Sequence, residues 1–141
     1  EEVRLNDRVE ACKLFMENIC LNRDIVLKME LCEENPSVKM DTSLFEQVLI
    51  NVIKNSAESI EETGHILIRT SAEPLMLEVS DDGKGIAKEV EIKLFSPFFS
   101  TKPNGQGIGL IFIREVLMKH GCTFSLRTYE DGITRFRICF P

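Results

Sequence analysis

A chain of 141 residues with 43% hydrophobic and 28% charged side chains has the balance of one globular domain spanning residues 1–141, with a sizeable core. Its formal net charge of −6 excludes a general nucleic-acid surface, because phosphate backbones are bound by clustered Lys and Arg, so an anionic ligand needs a local site. The longest apolar runs, such as "GLIFI" at 109–113, are too short to cross a bilayer and no charged-then-apolar leader is seen, so a soluble domain with no direct membrane contact is expected.

Residues 6–21 ("NDRVEACKLFMENICL") place Val9, Leu14, Phe15, Ile19 and Leu21 with rough helical recurrence, which predicts one helix capped by Asn6 or Asp7. "DIVLKMEL" alternates with period two and "PSVKM" follows the polar turn "CEENP", which reads as two strands. From Asp41 the period becomes 3.6. Ser43 and Glu46 are spaced as a capping box, and a long helix is expected to about Glu62, closed by the "TGH" turn. Phe45, Val48, Leu49, Val52, Ile53, Ala57 and Ile60 fill one arc of it, with Gln47, Asn51, Asn55, Glu58 and Glu62 opposite.

"HILIRTSAEPLMLEVSDD" reads as a hairpin around "SAEP". A second helix begins within "GQGIGLIFIREVLMKHG" and ends with Lys119, His120 and Gly121 at the C′ position. Two strands around "EDG" finish the chain. The interleaving predicts an α+β two-layer sandwich, a mixed, mostly antiparallel sheet with helices on one face. Cys12, Cys20, Cys32, Cys122 and Cys139 form an odd, scattered set without a C-x-x-C pair, so zinc is not expected and buried thiols in a reducing cytosol are.

Five of the eight glycines lie between residues 80 and 110 in two clusters. Gly105-Gln-Gly107-Ile108-Gly109-Leu110 runs into an apolar helix, where backbone can approach an anion and unpaired N–H groups carry partial positive charge. It has neither the P-loop nor the G-x-G-x-x-G spacing. Asp81-Asp82-Gly83-Lys84-Gly85-Ile86 follows a strand, and a strand-end carboxylate can accept a hydrogen bond from an exocyclic amine such as adenine N6. Each cluster alone also reads as a solvated turn. Asn51 and Asn55 stack on one helix face, and their amide oxygens suit a Mg²⁺ that takes its other ligands from phosphates and water.

These three elements in this order resemble the ATP-binding module of sensor histidine kinases, within the gyrase, Hsp90, histidine kinase and MutL ATPase superfamily. "QVLINVIKNSAESI" is similar to its N box, "DDGKGI" to its first glycine box, "LFSPFFSTK" to its F box and "GQGIGL" to its second. The resemblance covers nearly the whole chain, including a first strand and helix in "EEVRLNDRVEACKLFM" and a last strand in "GITRFRICFP". It implies that residues of about 96–106 form an ATP lid, anchored by Phe95, Phe98 and Phe99. It implies that Asp81 bonds the adenine amine, that Gly83, Gly85 and Ile86 bring backbone against the base, and that Thr134 contacts the adenine side through water. It implies Asn55 as a Mg²⁺ ligand with Asn51 assisting, Lys54, Thr101 and Lys102 near the phosphates, and Gly105, Gly107, Ile108, Gly109 and Leu110 presenting amides.

The superfamily's ATPases carry E-x-x-x-N in this helix, with the Glu as general base; here Asn51 stands in its place and cannot take a proton. Phosphoryl transfer to a histidine is therefore expected, with catalysis by positioning. Glu58 and Ser59 after the Mg²⁺ Asn resemble the nitrogen-regulation type of sensor kinase. His65 and His120 read as structural, so the acceptor histidine belongs to a dimerisation domain outside this chain, with a response regulator downstream and a cytoplasmic location. Kept as alternatives are an ATPase or clamp, an anti-sigma serine kinase of the same superfamily, and a noncatalytic nucleotide-binding module.

Overall fold

The computed structural model describes residues 1–21, 23–95 and 108–141. The expected lid, with Phe98, Phe99, Thr101, Lys102, Gly105 and Gly107, lies outside the described residues. The elements are β1 (Glu2–Arg4), α1 (Leu5–Ala11), α2 (Lys13–Leu21), β2 (Asp24–Glu30), β3 (Ser37–Lys39), α3 (Thr42–Glu58), β4 (Thr63–Ala72), β5 (Leu75–Asp81), α4 (Lys88–Glu91), α5 (Ile108–Lys119), β6 (Thr123–Thr128) and β7 (Thr134–Cys139).

A five-stranded sheet in the order β2-β4-β5-β7-β6 carries the fold; β2 and β4 are parallel and the other pairs antiparallel. Its inner face (Ile66, Ile68, Leu77, Val79, Phe136 and Ile138) packs with α1, α2, α3 and α5 into one core. This is the α+β arrangement that the alternating patterns predict. The arc of α3 from Phe45 to Ala57 is buried as its period demands.

Several local expectations are corrected. Two helices replace the single one over 6–21, because the N–H of Cys12 closes a tight bond of 3.1 Å to Val9 O and ends α1 there. The buried stripe is Leu5, Val9, Cys12, Met16 and Cys20, whereas Leu14, Phe15 and Leu21 are exposed. Asn6 caps nothing: it sits buried inside α1, accepting from Thr70 Oγ1 at 2.7 Å and donating to Cys32 O at 2.7 Å. The cap of α3 is Asp41, whose carboxylate accepts from Leu44 N–H at 3.0 Å, and Ser43 and Glu46 lie already within the helix. That helix stops at Glu58, four residues short of Glu62, and "TGH" opens β4 instead of closing a helix. Strands β2 and β3 do not share a sheet. A separate ribbon pairs β3 with β1, Val38 opposite Val3.

Both histidines are tied into this framework, as the sequence suggests. His120 donates from Nδ1 to Val116 O and accepts at Nε2 from the N–H of Asp41, joining the end of α5 to the start of α3. His65 pairs with Asp82.

Candidate nucleotide site

The site forms where the end of β5 meets the last turn of α3. Antiparallel register puts Asp81 opposite Thr134, and Thr134 in turn opposite Thr128, so three polar side chains line up across β5, β7 and β6. All three sit at strand ends, where a ligand has access without interrupting the sheet.

Asp81 is 5% exposed. Its Oδ1 accepts from Ser59 Oγ and from Gly83 N–H, both at 2.9 Å. Burial pushes its carboxyl above the ordinary carboxylate value, against the pull of Gly83 N–H and the Ser59 and Ser56 hydroxyls. Asp82 is pushed the other way. Burial alone would raise it, but the backbone N–H and ring of His65, at 2.7 and 2.8 Å, hold it below the usual value.

The first glycine cluster docks onto the end of α3, with Lys84 N–H bonded to Ser59 O at 2.9 Å. A Cβ on Gly83 would lie 2.5 Å from Ser59 O, so this glycine is required by the close approach of loop to helix. Gly85 has φ +80, a left-handed conformation that glycine adopts without strain. Ile86 N–H then donates to Thr128 Oγ1 at 2.7 Å.

At the junction of these groups lies a cavity of about 290 Å³. Asn55, Ser56, Glu58, Ser59, Asp81, Lys84 and Thr134 supply its polar lining, and Val52, Ile86, Val90, Leu94, Leu110, Leu126 and Phe136 its apolar lining. A cavity with largely apolar walls and one buried carboxylate, that of Asp81, suits a heteroaromatic ring bearing an amine. Phe95 packs edge-on against Phe136 and Phe124, with centroids 6.0 and 5.0 Å away, and so supports the cavity wall from beneath.

Of the sequence candidates, the cavity brings together Asn55, Asp81, Gly85, Ile86, Leu110 and Thr134. Gly83 stands beside it, and the half-buried Asn51 and exposed Lys54, on the same helix, are not among its lining residues. Ile108 and Gly109 form the first turn of α5. Sequence reasoning missed the hydroxyls of Ser56, Ser59 and Thr128. Ser59 continues the Asn51, Asn55 stripe at intervals of four, a signal that was open to reading; a threonine alternating along β6 gives none.

A family described as Histidine kinase-, DNA gyrase B-, and HSP90-like ATPase matches residues 40–141. The sensor histidine kinase ZraS of Escherichia coli O157:H7 is 31% identical over 121 residues, covering 84% of this chain and 26% of that protein. The sensory histidine kinase/phosphatase NtrB of Rhodobacter capsulatus is also 31% identical, over 75% of this chain and 34% of its own length. The catalytic domain of the histidine kinase ThkA superposes with a TM-score of 0.89 at 29% identity, covering all of this chain and 96% of that one. The chain thus spans a minor part of the curated relatives that it matches.

Proposed function

Since the chain belongs to the histidine kinase, DNA gyrase B and HSP90-like ATPase family and has the fold of a histidine-kinase catalytic domain, we propose that it holds Mg-ATP for transfer of the γ-phosphate to a histidine on a separate dimerisation domain. The observation that carries this reading is the buried Asp81 carboxylate, opposite Thr134 and lining the same cavity as Asn55. Asp81 accepts from the exocyclic amine of adenine, the apolar walls take the ring, and the phosphates extend past Asn55 toward the second glycine cluster. Gly105, Gly107, Gly109, Thr101 and Lys102 are assigned to the phosphates, with Lys54 and Asn51 at the outer end of the α3 stripe.

The donor set fits Mg²⁺ in this role. Among the described residues no three His, Cys, Asp or Glu side chains gather to hold a metal by themselves, so an ion here takes ligands from phosphates and water, with the neutral amide oxygen of Asn55 as the protein ligand. When bound, Mg²⁺ offsets the negative charge of the transferring phosphoryl group. Asn51 stands where the superfamily's ATPases are taken to carry their base, so the residue at this position binds and orients and does not activate water. The dimerisation domain and a downstream response regulator are the proposed partners, and the pattern of Glu58 and Ser59 supports a nitrogen-regulation-like subtype.

Calorimetric titration of the chain with a nonhydrolysable ATP analogue, with and without Mg²⁺ and against its GTP counterpart, tests the pocket. Adenine-selective, Mg²⁺-dependent binding is expected. Mixing the chain with ATP and the dimerisation domain of a relative is then expected to place phosphate on histidine. Appreciable steady-state hydrolysis by the chain alone would favour the ATPase reading, and phosphate on serine an anti-sigma kinase.

A further inference from the structure

Thr128 is half-buried and is not among the residues lining the cavity, yet two of its hydrogen-bond partners, Ile86 and Thr134, line it. Its N–H donates to Glu91 Oε2 at 3.1 Å, fixing the end of β6 against α4. Its Oγ1 lies 2.7 Å from Ile86 N and 2.7 Å from Thr134 Oγ1. A backbone N–H can only donate, so Thr128 Oγ1 accepts from Ile86, and the single hydroxyl proton remains to be placed. Either hydroxyl can donate in the Thr128–Thr134 bond, and accepting from Ile86 N–H polarises the Thr128 hydroxyl toward being its donor.

With Thr128 as donor, Thr134 accepts from it and turns its own proton away. Thr134 is 5% exposed, lines the cavity and faces Asp81 across the β5–β7 pair. We propose that Thr128 is a positioning residue that fixes the hydrogen-bond polarity of Thr134 and thereby the purine preference of the site. With that polarity the cavity floor presents an acceptor, the Asp81 carboxylate, beside a donor, the Thr134 hydroxyl. Adenine presents the complement, an amine donor next to a ring-nitrogen acceptor, met directly or through one water. Guanine presents the inverse, a carbonyl acceptor next to a ring N–H. The inference rests on the ATP reading above and assigns its selectivity to a residue one strand away from the ligand.

Thr128→Val keeps the shape of the side chain and removes both its acceptor and its proton, while Thr128→Ser keeps both. Affinities of the 141-residue chain for AMP-PNP and GMP-PNP are measured by calorimetry for wild type and both variants, with circular dichroism to establish folding. Loss of one correctly aimed hydrogen bond predicts about tenfold weaker AMP-PNP binding by Thr128→Val and a comparable fall in the adenine-to-guanine ratio, with Thr128→Ser within about twofold of wild type. A wild type that binds AMP-PNP, with an unchanged ratio in folded Thr128→Val, overturns the inference and leaves the ATP reading intact. A wild type that does not bind AMP-PNP overturns both. Should Thr128→Val not fold, the wild type is titrated with 1-deaza-ATP, whose ring lacks the acceptor next to the amine. About tenfold weaker binding than ATP is expected, and equal binding would overturn the inference, because the Thr134 proton would then have nothing to meet.

Discussion

Two consecutive aspartates at the end of β5 are driven apart by their surroundings. Burial raises the folded-state pKa of Asp81 above its ordinary 3.8. Its contribution to stability is therefore complete only below pH 3.8 and is lost as pH rises through the folded value, so at neutral pH the ionised carboxylate costs stability that the site keeps for its ligand. Asp81→Asn retains an acceptor for Gly83 N–H and Ser59 Oγ and removes the buried charge. It is expected to melt no lower than wild type at pH 7, with the difference closing below pH 3.8, and to bind an ATP analogue roughly 10- to 150-fold more weakly, the equivalent of about 1.5 to 3 kcal/mol for a charge-assisted bond. Unchanged affinity in the folded variant would remove Asp81 from the base site. Asp82, lowered by His65, has the opposite sign: its stabilisation is present above pH 3.8 and is lost as pH falls through the folded value. Asp82→Asn should lower the melting temperature at pH 7 and converge with wild type in acid, a pair of thermal melts over pH 2 to 7 deciding both cases.

At the scale of elements, the glycine loop is held by its fit to the end of α3. A Cβ at Gly83 would lie 2.5 and 2.7 Å from the carbonyl oxygen and carbon of Ser59, and backbone there has no side-chain freedom with which to yield. Gly83→Ala is thus expected to destabilise by about 1 to 3 kcal/mol and to weaken nucleotide binding with it; an alanine variant as stable as wild type would show that the loop does not dock so closely. A contrasting expectation concerns α1 and α2. Cys12 is 1% exposed and burial pushes its thiol pKa to about 11, so iodoacetamide at pH 8 should leave Cys12 unmodified in the native chain and label it after denaturation; native labelling would contradict the buried stripe. That stripe marks where sequence reading failed: Leu14 and Phe15 draw the eye as large apolar residues, yet the 4, 3, 4, 4 spacing of Leu5, Val9, Cys12, Met16 and Cys20 selects the face, with two cysteines as core. Helix α3 was legible because six apolar residues from Phe45 to Ala57 keep its period, and Asp81 because a carboxylate between a strand and glycines is conspicuous. The β1–β3 ribbon was not, since three-residue strands are too short to show a period, and neither was Thr128, whose role exists only through registers that join residues 81, 134 and 128 across three strands.

In the whole molecule the site and the core share the same elements. Asp81 and Thr134 project from strands inside the sheet, Asn55 and Ser56 from the helix that packs on it, and the apolar wall residue Phe136 also belongs to the core. Because the sheet and the helix packed on it both line the cavity, a ligand bound there is expected to stabilise the folded chain as a unit. At a free concentration of 100 times Kd, a nucleotide adds about 2.7 kcal/mol to the unfolding free energy. For a domain of this length that corresponds to a rise in melting temperature of roughly 5 to 12 °C. A single calorimetric transition is expected to move upward by this amount with an ATP analogue and Mg²⁺. Asp81→Asn should need roughly 10- to 150-fold more nucleotide for the same rise, in proportion to its lost affinity. A transition that splits in two as nucleotide is added would mean that the ligand braces only the glycine loops. A fixed transition at saturating ligand would mean that binding does not reach the sheet at all. Coupling of that strength is what a catalytic module needs if an aspartate buried for its ligand, at a cost to the empty fold, is to be offset whenever ATP is bound.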